Sequence, residues 1–323
     1  MILVWSKFLL LLFLIYIFGN KVTKNADMIA EKKGWGRAFM GVVFISMITS
    51  FPELFTGISA ASIVHSPDIA IGEIVGSCIF NLLIIGIIEL LFRRNKLFEN
   101  KSKKDYLPIL FSLILISLLS AAILIKLKFS LLNIGFSSLL IIVFYVFFMK
   151  IIFNNRKAEK INSNYKGMSM KKAIIAFSLS SLVIIMIGIY LPIVGKELAF
   201  RMGWTDSFVG VVFLAFVTSF PELIVSFAAA RIGAFDMLLG NIAGSNLFNI
   251  AIIFIIDIFY IRGDILLNIS DQKIFYIGLI AATMNIVILS RLMQKKFRKF
   301  FSKIPVTAVI LVLLYLISLL IIY

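Results

Sequence analysis

Two glutamates stand in the middle of long apolar segments, and each directly follows a proline. Glu53 lies in ITSFPELFTG (48–57), and Glu222 lies in VTSFPELIVS (217–226). An acidic side chain at the centre of a membrane-spanning helix costs about 2.5–3.5 kcal/mol on insertion scales, so two matched ones require a compensating charge. No lysine or arginine falls near the middle of any apolar segment. A bound cation is therefore the expected partner of both carboxylates.

The prolines predict a break in each of these segments. Proline has no N–H to donate, and its ring clashes with the carbonyl four residues earlier. The carbonyls of residues 46–49 and 215–218 are then expected to lose helical partners, which a membrane tolerates only where such backbone lines a cavity or is coordinated. The neighbouring hydroxyls are those of Thr49, Ser50, Thr218 and Ser219. Ligands that are all oxygen select hard cations such as Ca²⁺ or Na⁺.

The composition is that of an integral membrane protein. Of 323 residues, 61% are hydrophobic and 15% are charged, whereas roughly a quarter of a soluble protein is charged. Apolar blocks of about twenty residues are long enough to cross a bilayer as helices. Ten spans are predicted, near 2–20, 38–63, 69–91, 106–125, 130–152, 173–195, 207–230, 236–261, 273–290 and 304–323.

The charged and reactive residues argue against several classes of function. The net charge of +16 is explained by lysines and arginines in cytoplasmic loops, so no nucleic-acid partner is expected. Cys78 is the only cysteine and His65 the only histidine, which argues against disulfides, haem sites and nucleophile–histidine pairs. We expect no enzyme and no cofactor.

The distribution of basic residues predicts the orientation. With the N-terminus outside, the inner loops hold 24 lysines and arginines and the outer loops hold 5. This asymmetry follows the positive-inside rule. It predicts a multi-pass protein of the cell membrane with both termini extracellular.

The sequence repeats itself at a distance of about 169 residues. Residues 41–61 align with 210–230, and residues 68–81 align with 236–249. Each half then holds five predicted spans, and an odd number makes the second half enter the membrane from the opposite side. Such inverted repeats are the usual architecture of secondary transporters, with a site near the bilayer midplane. The predicted division is a first repeat (1–153), a short cytoplasmic linker (154–172) and a second repeat (173–323).

The second repeated block adds polar residues at helical spacing. Ser77 and Asn81 share one helix face, as do Ser245 and Asn249. Glu73, whose counterpart is Asn241, has two interpretations. It lies on the same arc as Ser77 and would overlook the site, or it is a first-turn acid that faces the outer water.

Acidic residues near the span ends are interpreted as structural. Asp68, at the start of the third span, is expected to cap its helix. Glu89 precedes Arg93 by four residues, which predicts an interfacial ion pair, and its counterpart Asp257 is interpreted in the same way.

The paired blocks TSFPEL and G-x-x-x-GS-x-x-x-N resemble the two alpha-repeats of sodium/calcium exchangers of the prokaryotic type, within the cation/calcium antiporter superfamily. The resemblance covers essentially the whole chain. It implies an all-α integral membrane protein of ten transmembrane helices in two inverted five-helix repeats, with helices two and seven broken at Pro52 and Pro221. The alpha-1 motif spans 41–81 and the alpha-2 motif spans 210–249.

The resemblance also implies roles for individual residues. Glu53 and Glu222 are expected to bind Ca²⁺ with the carbonyls of Thr49 and Thr218. The implied sodium sites and the residues that complete the centre are Ser50, Ser219, Ser77, Ser245, the carbonyls of Ser46 and Ala215, and Asn81 and Asn249. Many sodium/calcium exchangers carry aspartate at the position of Asn249, and potassium-dependent relatives do so in both halves. Two asparagines leave two central carboxylates and leave coupling to sodium or to protons open.

The predicted function is antiport of Ca²⁺ against Na⁺ by alternating access. A proton/calcium exchanger is the alternative, although the motifs of that group centre on GN-x-x-E, and a cation channel is a further alternative from a different class. The implied partners are the two ions and the lipid bilayer. No protein partner is implied, which is compatible with a monomer.

Overall fold

The computed structural model describes residues 2–32, 45–92, 98, 103–131, 133–154, 169–293, 299–300 and 304–323. Helices account for nearly all of the described secondary structure. In the first half they are α1 (Ile2–Lys32), α2 (Ser46–Thr49), α3 (Phe51–Ser62), α4 (Pro67–Phe92), α5 (Lys103–Ile125) and α6 (Phe136–Asn154). In the second half they are α7 (Met170–Met202), α8 (Asp206–Phe208), a π-helix (Val209–Leu214), α9 (Ala215–Thr218), α10 (Phe220–Arg231), α11 (Phe235–Phe259), α12 (Lys273–Met293) and α13 (Val306–Ile322).

Seven described helices are long and apolar enough to cross a membrane, or eight when the bent pair Asp206–Thr218 and Phe220–Arg231 is taken as one span. α13 is a shorter apolar helix of 17 residues. The beginning of the predicted second span (38–44) and most of the predicted linker lie outside the described residues. The count of ten spans therefore stays a prediction.

Both proline-containing segments are interrupted, and the interruption falls just before the proline. Ser50 (φ −89°, ψ 15°) separates α2 from α3, and Ser219 (φ −82°, ψ 10°) separates α9 from α10. Each proline then occupies the first turn of the following helix, where its missing N–H would have no helical partner. The two pieces around Ser219 are bent by 47°. The π-helix before α9 has wider turns of a kind that often accompanies functional sites.

The predicted fifth span (130–152) begins too early. A two-stranded antiparallel hairpin, β1 (Ser130–Leu131) and β2 (Ile134–Gly135), precedes α6. Asn133 in the turn has φ 68°, a left-handed conformation that asparagine tolerates. A second hairpin, β3 (Lys299–Phe300) and β4 (Ile304–Pro305), precedes α13 at the corresponding place of the second half.

α4 and α11 form the centre of the molecule and pack on each other. Over their most apolar 18-residue windows, 83% and 78% of the residues are buried, against 28% in α1, α6 and α7. α1 and α7 lie side by side at the periphery and expose large apolar side chains, among them Leu9, Phe13 and Met186. Exposed apolar faces of this extent mark contact with lipid.

Two glycines bring the peripheral pair against the broken helices. A Cβ added to Gly19 would lie 2.8 Å from Cγ of Pro221, and one added to Gly188 would lie 2.6 Å from Cβ of Phe55. Gly19 and Gly188 are 169 residues apart, the distance of the sequence repeat. In each half, a glycine of the peripheral pair therefore lies against a broken helix, although the residues it meets are not equivalent.

Candidate functional site

Serines from one broken helix hold the glutamate of the other. Ser50 Oγ donates to Glu222 Oε1 at 2.9 Å, and Ser219 Oγ donates to Glu53 Oε1 at 3.0 Å. All four side chains are fully buried. Because Ser50 and Ser219 are the residues that interrupt the helices, each break directs a hydroxyl to the carboxylate of the opposite half.

The threonines before the breaks face serines of the two central helices. Thr49 Oγ1 lies 3.4 Å from Ser245 Oγ on α11, and Thr218 Oγ1 lies 3.4 Å from Ser77 Oγ on α4. Each contact again joins one half of the chain to the other. The predicted hydroxyl ligands of both halves are therefore interleaved in one buried cluster.

The carbonyl oxygens of Ser46 and Ala215 are not released by the breaks. Ser46 O accepts a hydrogen bond from Ser50 N at 3.2 Å, and Ala215 O accepts one from Ser219 N at 3.0 Å. The expectation that these carbonyls lose their helical partners was wrong, because the interruption begins only after Ser50 and Ser219 have closed the preceding turn. Each carbonyl also accepts a hydroxyl of its own half, Ser46 O from Thr49 Oγ1 at 3.2 Å and Ala215 O from Thr218 Oγ1 at 3.4 Å.

Several buried polar atoms at the centre have no partner among the described residues. They include Oε2 of Glu53, Oε2 of Glu222, Oδ1 of Asn81 and both amide atoms of Asn249. A buried carboxylate oxygen without a partner carries a large desolvation cost unless a cation or a proton accompanies it. The cluster therefore has the chemistry of a hard-cation site, with several buried oxygen atoms that could serve as ligands.

Asn246 is a central residue that the repeat comparison did not single out. Asn81 Nδ2 donates to Asn246 Oδ1 at 3.0 Å, and Asn246 Nδ2 donates to the carbonyl of Cys78 at 3.2 Å. Cys78 and Asn246 occupy equivalent positions of the two halves. Because these two residue types differ, the position is not part of the motif that the halves share. An asparagine inside an apolar helix, directly after Ser245, was the available signal.

Glu73 belongs to the buried cluster. It is 0% exposed, and Thr218 Oγ1 donates to its Oε1 at 2.7 Å. The interpretation as a first-turn acid that faces outer water was wrong, since the π-helix and α9 cover that face of α4. Glu53, Glu73 and Glu222 lie close enough to repel one another electrostatically.

The described residues contain no group of three or more His, Cys, Asp or Glu side chains arranged to hold a metal by themselves. A cation in this cluster would therefore be shared between carboxylates, hydroxyls and backbone carbonyls. Such a set of oxygen ligands differs from the closed cysteine and histidine sets of structural zinc sites.

The acids near the helix ends have structural contacts. Asp68 Oδ1 accepts the backbone N–H groups of Ser270 and Asp271, both at 3.0 Å, so it caps the loop after α11 rather than its own helix. It also lines a pocket of about 490 Å³ with Asp206 and Lys273.

Asp257 and Glu89 differ in their partners. Asp257 accepts the backbone N–H groups of Gly135 and Ile265, each at 2.8 Å, so the predicted ion pair was wrong there. Burial, followed by repulsion from Asp257, raises the pKa of Asp264 in the adjacent loop. Glu89 pairs with Arg291 of α12 at 4.0 Å. Its predicted partner Arg93 lies outside the described residues.

Comparison with known proteins gives a consistent result. A family model described as sodium/calcium exchanger protein matches residues 3–153 and 172–323. An uncharacterized membrane protein of Methanocaldococcus jannaschii is 29% identical over 255 residues, with 75% of this chain and 77% of that protein covered. The sodium/calcium exchanger MaX1 of Methanosarcina acetivorans is 26% identical over 319 residues, with 87% and 89% covered.

The fold also has a solved counterpart. The sodium–calcium exchanger NCX_Mj, in a crystal soaked with Na⁺ and Sr²⁺, superposes with a TM-score of 0.65 at 23% identity, and 99% of this chain and 98% of that chain are covered. The fold and these matches define the class of the protein, a multi-pass membrane transporter with a cation-exchange role. Within that class, the chain belongs to the sodium/calcium exchanger family, which is a family of transporters and not a class of enzymes.

Proposed function

We propose that this protein exchanges Ca²⁺ for Na⁺ across the cell membrane, with Glu53 and Glu222 as the central ligands. The observation that carries the proposal is the crossed pair of serine–glutamate hydrogen bonds, each made to Oε1 of a glutamate. The other carboxylate oxygen of each glutamate, Oε2, is buried and has no partner in the described part of the chain. Two such carboxylates carry a charge of −2, which one Ca²⁺ or two Na⁺ neutralise.

The surrounding oxygens complete the proposed ion sites. Ca²⁺ binds between the two glutamates and the backbone carbonyls of Thr49 and Thr218. Na⁺ occupies positions built from hydroxyls, the remaining carbonyls and the amides, namely Ser50, Ser219, Ser77, Ser245, Ser46, Ala215, Asn81 and Asn249. Both ions are substrates of the exchanger, and no resident cofactor takes part.

The proposed architecture is ten spans in two inverted repeats, 1–153 and 173–323, joined by a cytoplasmic linker (154–172), with both termini extracellular. The 169-residue spacing of Gly19 and Gly188, of the two helix breaks and of the two hairpins supports it. In an inverted repeat, equivalent residues meet across the midplane from opposite sides. That arrangement explains why each serine reaches the glutamate of the other half.

Alternating access follows from the cost of an empty site. Uncompensated charges in a closed, dry centre are heavily penalised, so only the ion-loaded protein passes readily between outward-open and inward-open states. Exchange then dominates over leak. α1 and α7 move as a pair along the broken helices, since they pack on each other at the periphery and touch those helices through glycine.

Proteoliposomes test this function. Vesicles loaded with Na⁺ and diluted into Na⁺-free buffer with ⁴⁵Ca²⁺ are expected to accumulate Ca²⁺, and both Glu53→Gln and Glu222→Gln are expected to abolish uptake. Glu197→Gln is the matched control, because Glu197 is a partly exposed carboxylate paired with Lys7 and Arg201 away from the cluster. Full activity in Glu53→Gln, or rapid Ca²⁺ flux without any counter-ion, would refute the proposal.

Coupling of Ca²⁺ transport to protons is the second candidate function. The observation that favours it is the neutral asparagine at both positions 81 and 249. With two central carboxylates, two protons neutralise the site as well as two Na⁺ do. Uptake driven by a Na⁺ gradient at equal pH supports sodium coupling. Uptake driven by a pH gradient in Na⁺-free medium supports proton coupling.

A further inference from the structure

Glu73 breaks the symmetry of the cluster. Its counterpart in the second half is Asn241, whose amide nitrogen lies 3.4 Å from Ser226 Oγ. Glu73 instead accepts from Thr218, whose hydroxyl also approaches Ser77. The first half therefore adds an acidic side chain to the centre, and the second half adds a neutral one that points elsewhere.

The surroundings of Glu73 contain no compensating charge among the described residues. Its side chain is completely buried, its Oε2 has no partner, and no described lysine or arginine forms an ion pair with it. The nearby charges are Glu53 and Glu222, which are repulsive. An ionised carboxylate in such a place requires a cation of its own.

Backbone packing fixes the position of Glu73. A Cβ on Gly76 would lie 2.3 Å from the carbonyl oxygen of Val211, and one on Gly210 would lie 2.8 Å from that of Ile69. α4 and the π-helix therefore meet backbone to backbone on both sides of Glu73, which places Thr218 at hydrogen-bond distance. The side chain is thereby confined to the cluster.

We propose that Glu73, with the hydroxyls of Ser77 and Thr218, forms an additional position for one Na⁺ that stays occupied while Ca²⁺ is bound between Glu53 and Glu222. This inference rests on the proposed exchange function. Three carboxylates carry −3, of which Ca²⁺ neutralises two charges and leaves one. One carboxylate with two neutral hydroxyls matches a monovalent ion, because a second divalent ion would leave an excess positive charge. Na⁺ at this position therefore assists Ca²⁺ binding, whereas Na⁺ at the central positions competes with it.

Calorimetric Ca²⁺ titration of the purified protein at increasing Na⁺, with choline as the replacing ion, tests the inference. The native chain is expected to bind Ca²⁺ roughly tenfold more tightly at low Na⁺ than in its absence, a typical strength for coupling between two sites, and to lose affinity again at high Na⁺. In Glu73→Gln the low-Na⁺ enhancement disappears and only the competition remains. Asn241→Ala, the control at the matching position of the other half, keeps both phases.

A second variant and a pH series keep the test decisive. Ser77→Ala retains the carboxylate but removes a hydroxyl that this position shares with a proposed central Na⁺ position, so the enhancement and the competition are both expected at several-fold higher Na⁺. Competition without enhancement in the native chain would overturn the inference and leave the exchange function intact. Complete loss of Ca²⁺ binding in Glu73→Gln would also overturn the inference. The same holds if lower pH in Na⁺-free buffer enhances the Ca²⁺ affinity and Na⁺ does not. Failure of the native chain to bind Ca²⁺ at any Na⁺ concentration would instead refute the proposed function.

Discussion

At the scale of single residues, hydroxyl groups rather than basic side chains accompany the three central glutamates among the described residues. Ser50, Ser219 and Thr218 each donate to a glutamate of the opposite half. A hydroxyl stabilises a carboxylate without neutralising it, so the negative charge remains available to a cation. A lysine in the same place would cancel the charge and close the site. The hydroxyl partners are therefore consistent with the proposed role of these acids as ion ligands.

Replacing Ser219 by alanine should weaken Ca²⁺ binding without abolishing it. The change removes the donor to Glu53 Oε1 but leaves the backbone break in place. Hydrogen bonds to charged groups contribute about 1.5–3 kcal/mol, so we expect roughly 10- to 100-fold lower Ca²⁺ affinity by calorimetry. Ser290→Ala is the control, because Ser290 is exposed and bonds only within its own helix. Unchanged affinity in Ser219→Ala would show that the crossed hydrogen bond does not orient the carboxylate.

Asn246→Ala should lower stability. The change leaves Asn81 Nδ2 and the carbonyl of Cys78 without their partner in a buried centre. Leaving a buried polar group unsatisfied costs about 1–3 kcal/mol, which a denaturant titration in detergent measures as a lower free energy of unfolding. Thr283→Ala, an exposed position with a bond inside its own helix, serves as the reference. Equal stability of both variants would contradict the structural role of Asn246.

At the scale of helices, the contacts between the helices that we propose to move and the broken helices are made at glycines, which have no side chain. Gly19 lies against Pro221 and Gly188 lies against Phe55, so the peripheral helices α1 and α7 touch the broken helices at backbone distance. A smooth contact of this kind permits sliding, because no side chain has to leave one pocket and enter another. The broken helices in turn present their interrupted turns to the centre.

Gly188→Val should slow exchange while Ca²⁺ binding persists. The added side chain overlaps Phe55, where even a Cβ would lie at 2.6 Å. Overpacking costs about 1–3 kcal/mol, and a cost of about 1.4 kcal/mol at the conformational barrier slows turnover roughly tenfold. ⁴⁵Ca²⁺ uptake measures the rate and calorimetry measures the affinity. Met186→Val, on the lipid-facing side of the same helix, should behave as the native chain. A normal uptake rate in Gly188→Val would argue against sliding at this contact.

At the scale of the whole molecule, one cluster joins the two halves of the chain. Every hydrogen bond described above between a central glutamate and a hydroxyl crosses from one half to the other. Neither half could assemble the cluster alone. The proposed inverted arrangement accounts for this interleaving, because it brings equivalent residues to the same depth from opposite sides.

The proposed orientation predicts the position of both chain ends. Reporter fusions after Tyr323 and before Met1 should report the extracellular side, and a reporter inserted in the linker at 160 should report the cytoplasm. The physical reason is the concentration of lysine and arginine in the loops assigned to the inside. If the two ends report opposite sides, the number of spans is odd and the ten-span arrangement fails.

The sequence alone determined the membrane class, the repeat and most members of the cluster. Twenty-residue apolar blocks have no stable alternative to a membrane helix, and a doubled TSFPEL block is visible without coordinates. Local chemistry also placed the breaks to within two residues, since proline acts on its own helix. The hairpin before α6 was missed because Leu131, Leu132 and Ile134 continue the apolar pattern of the span that follows.

Only the tertiary structure decided which way Glu73 faces, that Asn246 joins the centre, and that Asp257 binds backbone instead of a base. A position on a helix fixes an angle about the axis, but the element packed at that angle comes from far along the chain. For Glu73 that element is the π-helix and α9, about 140 residues later, and backbone contact at Gly76 sets its distance. Long-range packing of this kind leaves no local signal in the sequence around the residue that it buries.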